Sequence, residues 1–495
     1  MVPSCWKNPR VFILPPGCRR DDTFGFHMKL IRCLLLSSLI PPGLGACALN
    51  APTARTNTQL PAAWKNAAGF PVASPTRDLT RWWKYFNDPV LTRVIADGLA
   101  NSPDVASGAA RIREAQARRN ETAASLFPAV DGSSSANSST VKNEGARQIS
   151  ITSYSAGLHA SWETDLFGKN RNTVAAATAE VGAAAENLHS VQAALASEIA
   201  IAYTRLRANE IALTVLYRIV KSREQTSQLA GWRQQSGEAD SLESSQALSS
   251  LEQARASIPA LQQSIAQTRN LLARLCGHPP GALDTMLAAG KTAIPAPAQR
   301  LAIGIPADTI RQRPDVRLAG YQLVAAAAST RAASAERFPS LSLSGNLGIN
   351  ALSAGKVFNP EIISSNVIAG LTGPIFDAGR IRSSIEARGA AQDQAVQTYR
   401  AAVLTALSEV EDSLIACRLS AERLATLEKA TASAREAADL AQQRYDAGVI
   451  DVLTVLDSQR SLLGLEDSLF TVRTDHTTAY IQLYKALGGG WSAGS

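Results

Sequence analysis

Cysteine and histidine are the side chains best able to ligate a metal or attack a substrate, and in this 495-residue chain their spacing supports neither role. His27, His159, His189, His278 and His476 are scattered, and no HExxH, GxSxG, phosphate-binding glycine loop or paired CxxC occurs. Gly488-Gly489-Gly490 follows a helical pattern, not a strand, so it is not a nucleotide loop. Cys276 and Cys417 stand singly in helical patterns and read as small core residues, without a disulfide framework or a zinc site. No catalytic residue, metal or cofactor is assigned, and the chain reads as a non-enzyme.

The remaining chemistry lies at the N-terminus. Met28 reads as the true start, since Lys29 and Arg32 precede the apolar stretch Cys33 to Ile40 as in an export signal. Residues 1–27 are then an upstream extension and 28–46 a signal peptide. Leu44-Gly45-Ala46-Cys47 resembles the lipobox of bacterial lipoproteins, which implies that Cys47 becomes an acylated first residue. Each buried CH2 of such chains contributes about 0.8 kcal/mol, enough for several chains to hold a protein at a membrane. Ala48 follows in place of the aspartate associated with inner-membrane retention, which implies the outer membrane. The plainer reading is an ordinary cleaved signal with a chance cysteine. Removing residues 1–46 also removes six of the 49 basic and two of the 42 acidic residues, leaving a net charge of +3. The sequence pI of about 9.1 is therefore no nucleic-acid footprint.

A single offset organises the rest. Pro103-Asp104-Val105 recurs as Pro314-Asp315-Val316, 211 residues on, and the same offset relates Phe127-Pro128 to Phe338-Pro339, Gly168 to Gly379, Arg233 to Arg444, Gly237 to Gly448 and Asp240 to Asp451. Each unit begins with a helix that the Phe-Pro pair ends. A strand region follows: Leu341, Leu343, Leu347 and Ile349 alternate with polar residues, as do Val367, Ala369 and Leu371, and as do Tyr154, Ala156, Leu158, Ala160 and Trp162. The Ser-rich strand from Val130 carries the least pattern. Beyond lie more than a hundred residues with apolar positions three and four apart, such as Leu188, Val191, Leu195 and Ile199. Breaks near Gly237 and Gly448 make each unit a pair of long antiparallel helices, and the 69 residues from Gly168 to the turn span roughly 100 Å.

No segment after the signal has 18 consecutive apolar residues, which excludes a transmembrane helix and leaves short strands as the means of crossing an outer membrane. Four strands cannot close a barrel, and bare edges cannot face lipid. Three copies supply twelve strands and twelve long helices, whereas two supply eight strands, a barrel filled by its own side chains.

In order along the chain, Trp82-Trp83-Lys84-Tyr85-Phe86-Asn87-Asp88-Pro89-Val90-Leu91, Arg313-Pro314-Asp315-Val316, Pro374-Ile375-Phe376-Asp377-Ala378-Gly379-Arg380, and Arg444-Tyr445-Asp446-Ala447-Gly448 through Val455-Leu456-Asp457-Ser458-Gln459-Arg460 resemble the outer-membrane factor family of TolC and OprM type, in its NodT-like lipoprotein branch. The resemblance implies a mainly α protein with a membrane β-barrel: a trimer whose twelve-stranded barrel continues into a periplasmic α-barrel. It implies 47–102 as anchor and equatorial segment, 103–277 and 313–488 as the two repeats, 278–312 as an equatorial linker and 489–495 as a short tail. It also implies a passive conduit for drugs or other solutes in a tripartite efflux system. The partners it implies are a periplasmic adaptor (membrane fusion protein), an inner-membrane RND-type pump and outer-membrane lipid, with no nucleic acid.

Leu453 and Asp457, one helical turn apart, match positions that close the periplasmic mouth in that family, which implies an apolar plug and an acidic ring favouring cations. Without the resemblance they read as a seam residue and a solvated acid. Arg233, Gly237, Arg444, Tyr445 and Gly448 are the implied tip and adaptor-contact residues. Gly237-Glu238-Ala239-Asp240 departs from the usual first turn, and the short tail leaves little for the belt, which puts adaptor pairing in doubt. Two other readings stay open: the same channel serving type I protein secretion, and a periplasmic coiled-coil adaptor or scaffold.

Overall fold

The computed structural model describes residues 60–67, 79–141, 149–290, 292–296, 306–357 and 362–491, all within one compact unit spanning Ala51–Ser495. The signal segment and Cys47 lie outside the described residues.

A short 3-10 helix, Trp82–Phe86, leads into α1, Pro89–Asn101, whose N-cap Asp88 accepts bonds from the Val90 and Leu91 amides at 2.8 and 3.0 Å. Then follow α2 (Pro103–Ala124), β1 (Ala129–Val141), β2 (Ile149–Thr164), α3 (Lys169–Ser236), α4 (Ser241–Leu275), α5 (Asp284–Ala288) and α6 (Pro306–Gln312). The chain continues as α7 (Pro314–Ala335), β3 (Ser340–Ala351), β4 (Ile362–Thr372), α8 (Arg380–Asp446) and α9 (Val452–Ala486). The pairs α2/α7, α3/α8 and α4/α9 start 211 residues apart. Proline opens α2 and α7, where its missing N–H has no partner to lose.

The strands form one antiparallel sheet in the order β1-β2-β3-β4. Its registers place Leu158 opposite Leu347, Leu343 opposite Ala369, and Leu341 opposite Leu371. Because cross-strand partners share a face, Val130, Tyr154, Leu158, Trp162, Leu347, Ile349, Ile363, Val367 and Leu371 lie together on one side. The other side carries Asp131, Ser135, Ser155, His159, Ser344, Asn346 and Asn366, with Ser135 Oγ 2.8 Å from Ser155 Oγ and His159 Nδ1 2.6 Å from Asn346 Oδ1. β1 is as regular as the rest, but its serines fall on both faces, Ser133, Ser135 and Ser139 on the polar one and Ser134 and Ser138 on the other, which is why its alternation is faint in the sequence.

The helices α3 and α8 run 68 and 67 residues, about 100 Å, away from the sheet. Near the sheet α7 packs against both; farther out α4 pairs with α3 and α9 with α8. The main core lies midway, where Trp82 stacks on Tyr484 at 5.4 Å and Leu91, Ile95, Ile199, Leu206 and Leu272 are fully buried. Arg313, also buried, explains the Arg-Pro-Asp motif: it donates to the Ala486 carbonyl at 2.8 Å and to both Asp315 oxygens, tying the start of α7 to the end of α9. Burial opposes ionisation of Asp315, but the Arg313 guanidinium holds its carboxyl below the usual carboxylate range.

Candidate functional site

The residues singled out from the sequence gather at the helix ends farthest from the sheet. Both turns there have one geometry. Gly237 and Gly448 adopt φ of 81° and 72°, and the residue after each donates back to the Arg233 or Arg444 carbonyl at 2.8 Å. Asp240 and Asp451 then cap α4 and α9 through the Glu243 and Thr454 amides, each at 3.0 Å. The hydroxyl and amide of Thr454 hold the Asp451 carboxyl below its ordinary range. The atypical first turn thus closes as the second does.

Tyr445, buried, and Arg233, half-buried, form the centre of a clasp between the hairpins. The Tyr445 ring is buried with Ala230, Ala247, Ala441, Val452, Val455 and Leu456. Its hydroxyl donates to Glu243 Oε1 at 2.8 Å, while the Arg233 guanidinium lies 4.3 Å over the ring and donates to the Tyr445 carbonyl. Burial, then the Glu243 carboxylate, push the phenol up to about 12, so it stays a donor at neutral pH. A second tie lies one turn back, where Thr226 Oγ1 donates to Gln442 Oε1 at 3.1 Å and Gln459 Nε2 reaches the same oxygen at 3.2 Å. Arg444, Gly237 and Gly448 are exposed, beside exposed Trp232, Leu242 and Val449.

Leu453 and Asp457 lie on the first turns of α9 and line one groove of about 600 Å³ between α9 and α4, with α3 beneath. Leu453 is 47% exposed. Asp457 is not an unpaired acid: Arg460 Nη1 lies 3.2 Å from its Oδ1. Both ends of that pair are exposed, so it is worth little stability, yet the guanidinium offsets the charge of the Asp457 carboxylate.

Sequence reasoning missed Arg460, Glu243 and Arg223. The first was legible as an i,i+3 partner of Asp457, and the second as the third residue after an aspartate cap. Nothing local marked Arg223 as buried. Cys276 and Cys417 are buried free thiols, each pushed up to about 12 by burial, which leaves them unreactive. Among the described residues no group of His, Cys, Asp and Glu is placed to hold a metal, and no helix is long and apolar enough to cross a membrane.

A four-stranded sheet with Leu158, Leu347, Val367 and Leu371 gathered on one face, carried on helices about 100 Å long, defines an outer-membrane channel protein with a helical periplasmic extension. The chain belongs to the outer membrane efflux protein family, whose model matches residues 94–278 and 305–489. It is 32% identical over 469 residues to the pyoverdine export outer membrane protein OpmQ of Pseudomonas putida, covering 92% of this chain and 98% of that protein. It is 31% identical to the toluene efflux pump outer membrane protein TtgI, also of Pseudomonas putida, over 91% of this chain and 96% of the relative. Among solved structures, the outer-membrane channel OprN superposes with a TM-score of 0.82 at 29% identity, over 89% of this chain and 99% of that one. The open state of the Neisseria gonorrhoeae MtrE outer membrane channel gives 0.78 at 26% identity, over 88% and 97%. The protein is an outer-membrane efflux channel, and its family and relatives are channel proteins.

Proposed function

We propose that the chain is one of three protomers of a passive conduit whose periplasmic mouth is narrowed by Leu453 and Asp457 and held narrow by the Tyr445 clasp. The observation that carries this reading is the half-buried Tyr445–Glu243 hydrogen bond, because it ties the tip of the α8/α9 hairpin, which bears Leu453 and Asp457, to the α3/α4 hairpin. A hydrogen bond to a carboxylate contributes about 1.5–3 kcal/mol, enough to bias a two-state tip and small enough for a docking partner to overcome.

Trimeric assembly is supported by the unpaired outer edges of β1 and β4, which cannot face lipid. The partners are a periplasmic adaptor, meeting the exposed tip around Gly237, Arg444 and Gly448, and an inner-membrane RND-type pump, with Cys47 acylated and seated in the outer membrane. The cargo is small organic solutes, as the names of the relatives suggest, and the chain itself catalyses nothing. A periplasmic scaffold has no use for a sheet with exposed apolar residues such as Val367 and Leu371, and nothing at the tip favours protein secretion.

The constriction is tested by single-channel recording of Leu453→Ala with Asp457→Ala. The double variant should conduct at least about twofold more than the native channel, since both side chains then leave the narrowest ring. Unchanged conductance places the constriction elsewhere.

A further inference from the structure

Below Leu453 and Asp457 the groove contains a buried charge that takes no part in the clasp. Arg223, on α3, is 6% exposed and faces the groove with Ser249, Ser250, Gln253 and Asp457. Its Nη1 donates to the Ser250 carbonyl at 2.8 Å, and its Nε has no hydrogen-bond partner. No carboxylate pairs with it among the described residues; burial first, then the neighbouring cation Arg460, push its pKa down. A guanidinium nevertheless stays protonated in proteins. The charged side chains lining this groove are therefore Arg223, Arg460 and Asp457, two cations to one anion. Since Asp457 is already paired with Arg460, the uncompensated charge is that of Arg223.

A buried charge in a low-dielectric wall projects its field into the adjoining aqueous path with little screening, whereas exposed Asp457 and Arg460 are screened by solvent and by each other. The next groove along α9 has the opposite balance, with Arg205 and Arg460 against Glu466, Asp467 and Asp475. The excess of cations over anions thus belongs to the groove beside Leu453 and Asp457 and not to the next one.

We propose that Arg223 is a specificity-determining residue of the constriction, biasing the narrow end of the channel toward anionic solutes. This rests on the reading of Leu453 and Asp457 as the constriction. It inverts the cation preference that an acidic ring implies. A merely structural Arg223 would stitch α3 to α4 through Ser250, a contact that moves stability but not ion preference.

The test is the reversal potential of reconstituted channels under a KCl gradient. Arg223→Gln, which keeps a donor for Ser250, should lower the chloride-to-potassium permeability ratio by about two- to fivefold, and Arg223→Lys should stay near native. Ser249→Asp, at an exposed position in the same groove, should lower the ratio likewise and carries the test if Arg223→Gln folds poorly. A native ratio in Arg223→Gln or, failing that, Ser249→Asp, with a shift in Asp457→Asn, overturns the inference and leaves the constriction standing. If Arg223→Gln, Asp457→Asn and Leu453→Ala all leave conductance and selectivity unchanged, the constriction reading falls and the inference with it.

Discussion

The Tyr445 hydroxyl and the Glu243 carboxylate are 202 positions apart in the chain, and their contact exists only because two hairpins end side by side. Tyr445→Phe keeps the ring in its apolar cage and deletes the bond. It should cost about 1.5–3 kcal/mol of local stability, read as faster amide exchange in the first turns of α4 and α9. A second residue gives the channel a pH limit. His476, on α9, faces α8, its Nδ1 2.9 Å from Ser420 Oγ and its ring edge-on to Tyr480, and burial lowers its pKa below the ordinary value of 6.5. The unfolded chain therefore binds the proton more readily, so this contribution is intact above about pH 6.5 and fades as pH falls below it. The melting temperature should drop between neutral and mildly acid pH, and less steeply in His476→Gln; equal slopes contradict the assignment. The sequence pointed to Tyr445, Asp457 and the turn glycines, but not to what each touches. Local spacing shows Arg460 beside Asp457 once it is sought, whereas the burial of Arg223 follows from how α3, α4 and α9 converge.

At the scale of elements, the turns and strands were largely written in local pattern. Gly237 and Gly448 mark helix ends because a left-handed residue must follow α3 and α8, and a side chain there is strained even where space is free. Gly448→Ala should cost about 1 kcal/mol at the second turn and loosen the clasp in the same exchange measurement. The alternating residues of β2, β3 and β4 fall on one face, as their period of two requires. β1 was the faintest because serine and glycine supply a strand with little hydrophobic contrast, and only pairing with β2 across thirteen residues defines it. The tie from Arg313 to the Ala486 carbonyl was also hidden, because a helix end 173 residues away leaves no local trace.

For the whole molecule, the apolar sheet face and the unpaired edges of β1 and β4 make a lone protomer an incomplete membrane protein. Val367, 87% exposed on that face, belongs against lipid. Val367→Lys should cost on the order of 2 kcal/mol in assembly and reduce the trimer recovered from outer membranes, whereas Asn346→Lys on the polar face should not. The 211-residue offset made the duplicated plan visible in the sequence, while the hairpin tips are joined by contacts between repeats that no single repeat encodes. The most direct test of that mouth is single-channel conductance of the native protein against Tyr445→Phe and Glu243→Gln, each of which removes one end of the clasp without touching Leu453 or Asp457. Both variants should give larger or more frequent openings with unchanged trimer size. Native-like conductance in two well-folded variants would contradict the claim that this clasp holds the mouth narrow.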